Sequence, residues 1–112
     1  MSHLSWSDFE KVEIRCGTVI DVKDFAKAKK PAYQLWIDFG EATGIKKSSA
    51  QITQHYKKED LLQKQVIAVV NFPPKQIADF FSECLVLGVY NENKEVVLLQ
   101  PSMQVNNGSR IG

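Results

Sequence analysis

Few side chains in this sequence are suited to catalysis. It has two histidines, His3 and His55, and two cysteines, Cys16 and Cys84. Neither histidine has a serine, cysteine or acid at a spacing that builds a nucleophile–base pair or a metal cluster. His3 falls in a stretch expected to fray, and His55 in a turn beside Tyr56. Both read as surface residues. The six glycines are scattered, with no GxGxxG or P-loop spacing for phosphates. Glu59-Asp60 is an acid pair, but adjacent helical residues point apart and make poor acid–base partners. Nothing here is arranged for catalysis, and no cofactor or metal is expected.

Binding chemistry has more to work with. Lys46-Lys47 opens a polar strand that continues through Ser48, Ser49 and Gln51. Lysines suit phosphates, and hydroxyl and amide groups suit sugars or base edges. Lys57, Lys58 and Lys75 extend the same basic character. Between Lys23 and Lys75 there are ten lysines against five acids, a balance of +5, while the remainder carries four basic groups against eight acids, a balance of −4. A chain of net charge +1 thus has a basic middle. Two readings fit it: the footprint of a polyanion, or lysines that solvate loops and blunt strand edges. Tyr33, Trp36, Tyr56 and Phe72 are candidates for base stacking where they are exposed. Trp36 stands out because it alternates against Leu35 and Ile37, which puts it on the outer face unless a second subunit covers it. Phe72-Pro-Pro, with Phe80 and Phe81 close behind, reads either as core closure or as a shallow apolar site for an extended peptide.

The elements that must carry these residues are mostly strands. Val12 to Phe25 is β-rich and changes alternation phase near Gly17, where a glycine in a strand marks a bulge or bend. Lys27 to Pro31 reads as a basic loop. Tyr33, Leu35, Ile37 and Phe39 alternate with Gln34, Trp36 and Asp38 as in a strand with one face inward. Gly40 to Gly44 makes a turn, and Ile45 to Ile52 a more polar strand. Lys58-Glu-Asp-Leu-Leu-Gln predicts a short helix with acids in its first turn, where the dipole favours them. Lys64 to Phe72 is a nearly continuous apolar run, as in a strand buried on both sides, stopped by Pro73-Pro74. Ile77, Phe80 and Phe81, at i, i+3 and i+4, predict one helical turn. Cys84–Tyr90 and Val96–Gln100 flank Asn91-Glu-Asn-Lys as a hairpin.

Together these describe an all-β chain: one OB-type domain over residues 1–112, a five-stranded Greek-key barrel with a short helix plugging its end between strands three and four. Its 112 residues, 44% hydrophobic and 24% charged, suffice for one core without a metal or disulfide staple. The two cysteines lie 68 positions apart, so one long-loop disulfide is possible, but without a secretory pattern at the start they read as buried thiols. The expected location is the cytoplasm, with no membrane insertion.

The stretch Asp8-Phe9-Glu10-Lys11 followed by Ile14-Arg15-Cys16-Gly17-Thr18-Val19 resembles the opening of the tRNA-binding OB domain family. Ile37-Asp-Phe-Gly, Gly44-Ile-Lys-Lys-Ser-Ser-Ala-Gln-Ile-Thr and Lys64-Gln-Val-Ile-Ala-Val-Val-Asn-Phe-Pro-Pro resemble that family's CsaA-type secretion chaperones. Ser82-Glu83, Val86-Leu87-Gly88, Val97-Leu98-Leu99-Gln100-Pro101 and the closing Asn107-Gly108 and Ile111-Gly112 extend the resemblance over residues 8–112. It implies a homodimer built partly by the chain ends, binding of unfolded or presecretory polypeptides, and a fold shared with tRNA binders. It supplies no catalytic residue. By position, Lys46, Lys47, Ser48, Ser49 and Gln51 match the family's polar strand, and Asn71, Phe72, Pro73 and Pro74 its strand-end motif. Ser82 and Glu83 match the start of the strand that follows. With Trp36, residues Asn71, Phe72 and Pro73 become the expected peptide contacts. Trp6, Phe9, Met103 and Val105 become the expected dimer contacts, and tRNA the alternative ligand. Cys16, Cys84 and Asn106 depart from the family pattern, as does the short tip at Asn91–Lys94.

Overall fold

The computed structural model describes residues 2–112. Ser5 starts the first helix, its hydroxyl accepting from the Asp8 N–H at 3.1 Å. This five-residue helix, α1 (Trp6–Glu10), was not foreseen in the sequence. Strand β1 (Ile14–Asp24) follows. It pairs antiparallel with β2 (Tyr33–Asp38) along its second half and with β4 (Gln65–Val69) along its first. The predicted phase change is real but falls three residues later than Gly17. The register slips between Val19 and Asp21, so Ile20 and Asp21 both face outward. Gly17 has a different task. A Cβ there would stand 2.6 Å from the Phe39 ring and 2.7 Å from Ile37, so glycine lets a buried phenylalanine lie flat on the strand.

The single turn α2 (Gly40–Thr43) leads into β3 (Ile45–Ala50), and α3 (Lys58–Leu61) follows as the sequence predicts. Asp60 accepts from the Lys57 N–H at 2.9 Å and holds the helix start. Leu61, fully buried, enters the barrel beside Leu35, Val66 and Leu98. A buried leucine of this kind is worth roughly 1.5–3 kcal/mol, enough to fix a four-residue helix with little strength of its own.

Beyond β4 the chain departs from the sequence reading. Ile77, Phe80 and Phe81 form a hairpin and not a helical turn: β5 (Lys75–Ile77) pairs with β6 (Phe80–Ser82). A two-residue hairpin turn brings i and i+3 together just as a helix does, so the spacing alone did not separate them. Ala78 takes a left-handed φ of +54° in that turn. The strand expected over Cys84–Tyr90 divides into β7 (Leu85–Val86), on β4, and β8 (Gly88–Tyr90), which pairs with β9 (Val96–Leu98). The main sheet runs β3-β2-β1-β4-β7, all antiparallel, and coils into a nearly closed five-stranded barrel of the OB class.

The C-terminal residues complete the wall where β2 leaves β1. Cys16 donates to the Ser109 carbonyl, Gly108 to that of Cys16, and Ile111 to that of Ile14. Asn107 accepts from the Thr18 hydroxyl at 2.7 Å. Gly108 sits at φ +89°, and a Cβ on it would lie 2.5 Å from the Phe39 carbonyl oxygen. Both cysteines are buried free thiols. Burial raises the pKa of each, and pushes Cys84 up to about 12. Among the described residues, no helix is long and apolar enough to cross a membrane.

Two outcomes follow from this packing. Gly108→Ala will destabilise the chain by about 1–3 kcal/mol, the cost of a strained backbone with a backbone clash, read as a lower urea midpoint. Cys84 keeps its proton longer folded than unfolded, so its contribution is complete below the ordinary thiol pKa and is lost as pH rises towards 12. The urea midpoint will therefore fall between about pH 9 and 12, and Cys84→Ala will flatten that alkaline slope; an equal slope in both proteins would refute the assignment.

Candidate binding surfaces

The barrel closes along a seam between β3 and the segment Ser82–Cys84. Glu83 donates its N–H to the Lys47 carbonyl at 2.7 Å, and its carboxylate accepts from the Lys47 N–H at 3.0 Å. Ser82 Oγ accepts from the Ser49 N–H at 3.1 Å. Ser48, only 1% exposed, donates its hydroxyl to the Cys84 carbonyl at 3.0 Å. The polar strand is thus split by its own pleat. Ser48 and Ala50 point inward, while Lys47 and Ser49 lie on the outer phase with Trp36 and Gln34 as their cross-strand partners. Ser48 is occupied in holding the barrel shut. Lys46 shares its phase and stands near enough to lower the Cys84 pKa slightly against the dominant effect of burial.

Outside this seam lies a polar groove. Lys30, from the basic loop after β1, and Ser49 and Gln51, at the end of β3, line two adjoining hollows of about 370 and 430 Å³. Lys27 and Lys29 line the first, and Tyr90 and Lys94 the second. Tyr90 is 76% exposed at the end of β8. Sequence reasoning saw the basic loop but assigned it no site, and it read Tyr90 and Lys94 only as parts of a hairpin. Their signal was an aromatic and a cation flanking a polar hairpin tip, which acquires meaning only when that hairpin stands beside β3. Other cations are engaged. Lys58 donates to Asp24 at 2.9 Å, and Lys27 to Asp79 at 2.7 Å, which raises the Lys27 pKa and lowers that of Asp79.

A second, apolar concavity of about 280 Å³ is formed by Phe72, Pro73, Lys75, Ser82, Cys84 and Leu85. Phe72 is 55% exposed and Leu85 49%. Of the four expected peptide contacts, Phe72 and Pro73 come together here, joined by Lys75. Asn71 turns the other way and ties down the N-terminal segment, accepting from the Glu13 N–H at 3.0 Å and donating to the Lys11 carbonyl at 2.7 Å. Trp36 does face outward, but the β5–β6 hairpin folds over it. Phe80 meets it edge-on at 6.0 Å, with Lys23 5.1 Å from its centroid. Tyr33 is buried and donates to the Tyr56 carbonyl, while the Tyr56 hydroxyl accepts from the Leu98 N–H, so both serve the barrel.

The expected dimer contacts fall at two places, one apolar and one largely polar. Trp6, 81% exposed, lines a hollow of about 330 Å³ with Leu4, Phe9 and Gly112. Met103 projects from a separate hollow beside Gln63–Gln65. Val105 is held to Gln65 by bonds in both directions. Among the described residues, no group of three or more histidines, cysteines or acids could hold a metal ion.

These features can be set beside known proteins. A family model described as "Putative tRNA binding domain" matches residues 14–110. The solved structure of the chaperone CsaA from Bacillus anthracis str. Ames is 50% identical, with a TM-score of 0.92 over 99% of this chain and 100% of that one. The CsaA chaperone protein from Picrophilus torridus is 51% identical, with a TM-score of 0.92 over 98% and 100%. Methionine–tRNA ligase of Nanoarchaeum equitans (strain Kin4-M) is 35% identical over 108 residues, 96% of this chain and 13% of the ligase. The chain spans only 13–16% of the length of the curated ligases it matches, so the likeness reaches one domain of each. A family match over nearly all the barrel and CsaA structures matched along their full length lead to one conclusion: the chain belongs to the tRNA-binding domain family, as a member of its CsaA type.

Proposed function

We propose that this chain is a non-catalytic chaperone module that holds unfolded or presecretory polypeptide segments. The observation that carries the reading is the apolar concavity with two half-exposed anchors, Phe72 and Leu85, on its rim. Large apolar side chains left in water around a hollow are what an extended chain with an apolar side chain covers on binding. Pro73 stiffens the wall, and Lys75 keeps the rim soluble. The solved relatives described as chaperones support this reading, since their likeness spans the whole chain. The working unit is a homodimer joined through the ends, with Trp6 and Phe9 from one end and Met103 and Val105 from the other. Two reduced, buried thiols suit a cytoplasmic location.

The polar groove supports a second ligand, tRNA. Lys29 and Lys30, which line the groove, would meet phosphates, with Lys46, Lys47, Lys57 and Lys75 as further cations of the basic middle. Ser49 and Gln51 would meet sugars or base edges, and Tyr90 would stack on a base. Ser48 supports β3 from within, while Lys58 is held by Asp24.

Phe72→Ala will weaken binding of an unfolded presecretory protein about tenfold or more, as loss of a central anchor does, with little change at higher salt. tRNA affinity will fall steeply with salt, and Lys30→Ala will reduce that slope by about one. Sedimentation at micromolar concentration will show a dimer that Trp6→Glu converts to monomer. Unchanged polypeptide affinity in Phe72→Ala would displace the site from this hollow.

A further inference from the structure

The hollow and the groove share a wall. Leu85 lines both: Phe72, Pro73 and Lys75 approach it on one side, Ser49, Gln51 and Tyr90 on the other. It sits on a two-residue strand whose partner is β4, where Leu85 pairs with Val69. The two sites also share the closing seam. Ser82 belongs to the apolar hollow and Ser49 to the groove, and the Ser49 N–H to Ser82 Oγ bond holds them together. Ser82 also donates to the Cys84 carbonyl at 3.3 Å, within the lining of the hollow itself.

From this geometry we infer that nucleic acid in the groove and polypeptide in the hollow exclude one another, so that a bound RNA strand releases the polypeptide. The inference rests on both ligand readings given above. An extended polypeptide occupies about 4.8 Å across its backbone, the spacing of neighbouring strands, with side chains reaching further. A chain seated against Phe72 covers the exposed face of Leu85. A base stacked on Tyr90, with its phosphates at Lys30 and Lys94, reaches the same half-exposed side chain from the groove. Leu85 cannot be covered by both. Glu95, which also lines the groove, shares a hydrogen bond with His55 at 3.1 Å and accepts from Asn91 at 3.2 Å. Lys75, on the rim of the hollow, is free to swing toward a phosphate or away with the polypeptide.

The test is a displacement titration of the full chain carrying a fluorescein-labelled, urea-unfolded presecretory protein, with total tRNA as competitor. Exclusion predicts that tRNA at about one hundred times its own Kd raises the apparent polypeptide Kd about a hundredfold. A polypeptide Kd that stays constant under saturating tRNA, with a ternary complex on sedimentation, would overturn exclusion while leaving both ligand readings intact. Absence of polypeptide binding without tRNA would instead remove the hollow as a ligand site, and absence of tRNA binding would remove the groove. Leu85→Gln is a second check, since a half-exposed side chain tolerates that change. It will weaken both ligands, and selective loss of one would show that the wall is not shared.

Discussion

A five-stranded sheet that coils into a barrel must join its first and last strands, and here the gap is bridged by side chains as much as by backbone. β3 and β7 are the sheet's two ends, and the strand-like stretch Ser82–Cys84 lies between them. The Ser48 hydroxyl, the Ser82 hydroxyl and the Glu83 carboxylate each take or give a hydrogen bond that a fifth, closing ladder would otherwise supply. A buried backbone group left without a partner costs about 1–3 kcal/mol, so a seam of this kind is an obligation of the fold. Among the described residues, Ser48 is the one polar residue in the fully buried set, which follows from this duty.

Both concave surfaces are by-products of that closure. The chain reaches the seam through β5 and β6, and the turn that takes it there leaves Phe72 and Pro73 standing above Cys84 and Leu85. It leaves Ser49 and Gln51 on the opposite side, next to the basic loop. The β5–β6 hairpin is anchored by a small second cluster of Phe25, Ala32 and Phe80, against which Trp36 and Ile77 pack. That cluster is separate from the barrel core and accounts for the outward tryptophan without a second subunit. At the other end, the C-terminal segment fills the edge that β2 exposes when it leaves β1, which requires glycine at 108 and the Asn107–Thr18 contact.

Much of the barrel was legible beforehand because its signals are local. Alternation at Tyr33–Phe39, the apolar run at Lys64–Val70 and the acidic helix start at Lys58 each depend on residues within one element. The hairpin at Lys75–Ser82 was misread because i, i+3 spacing serves a helix and a two-residue turn equally. The partition of Lys46–Ser49 was lost because a run of polar residues looks like one surface until the pleat sends alternate members inside. Asn71 looked like part of a strand-end binding motif, yet its two bonds run to residues nearly sixty positions earlier, a distance that carries no local signal.

The sequence by itself determined a strand-rich barrel with a short helix, a basic middle and a place in the tRNA-binding domain family. These depend on periodicity, residue type and motif order, which are properties of neighbours along the chain. Only the tertiary structure decided that Tyr90 and Lys94 stand with Lys30, that Trp36 lies beneath Phe80, that Ser48 is a fastener, and that one leucine divides an apolar hollow from a polar groove. Those facts depend on which strands close upon which, and closure is fixed by packing and hydrogen-bond satisfaction across the whole chain, which no stretch of sequence encodes alone.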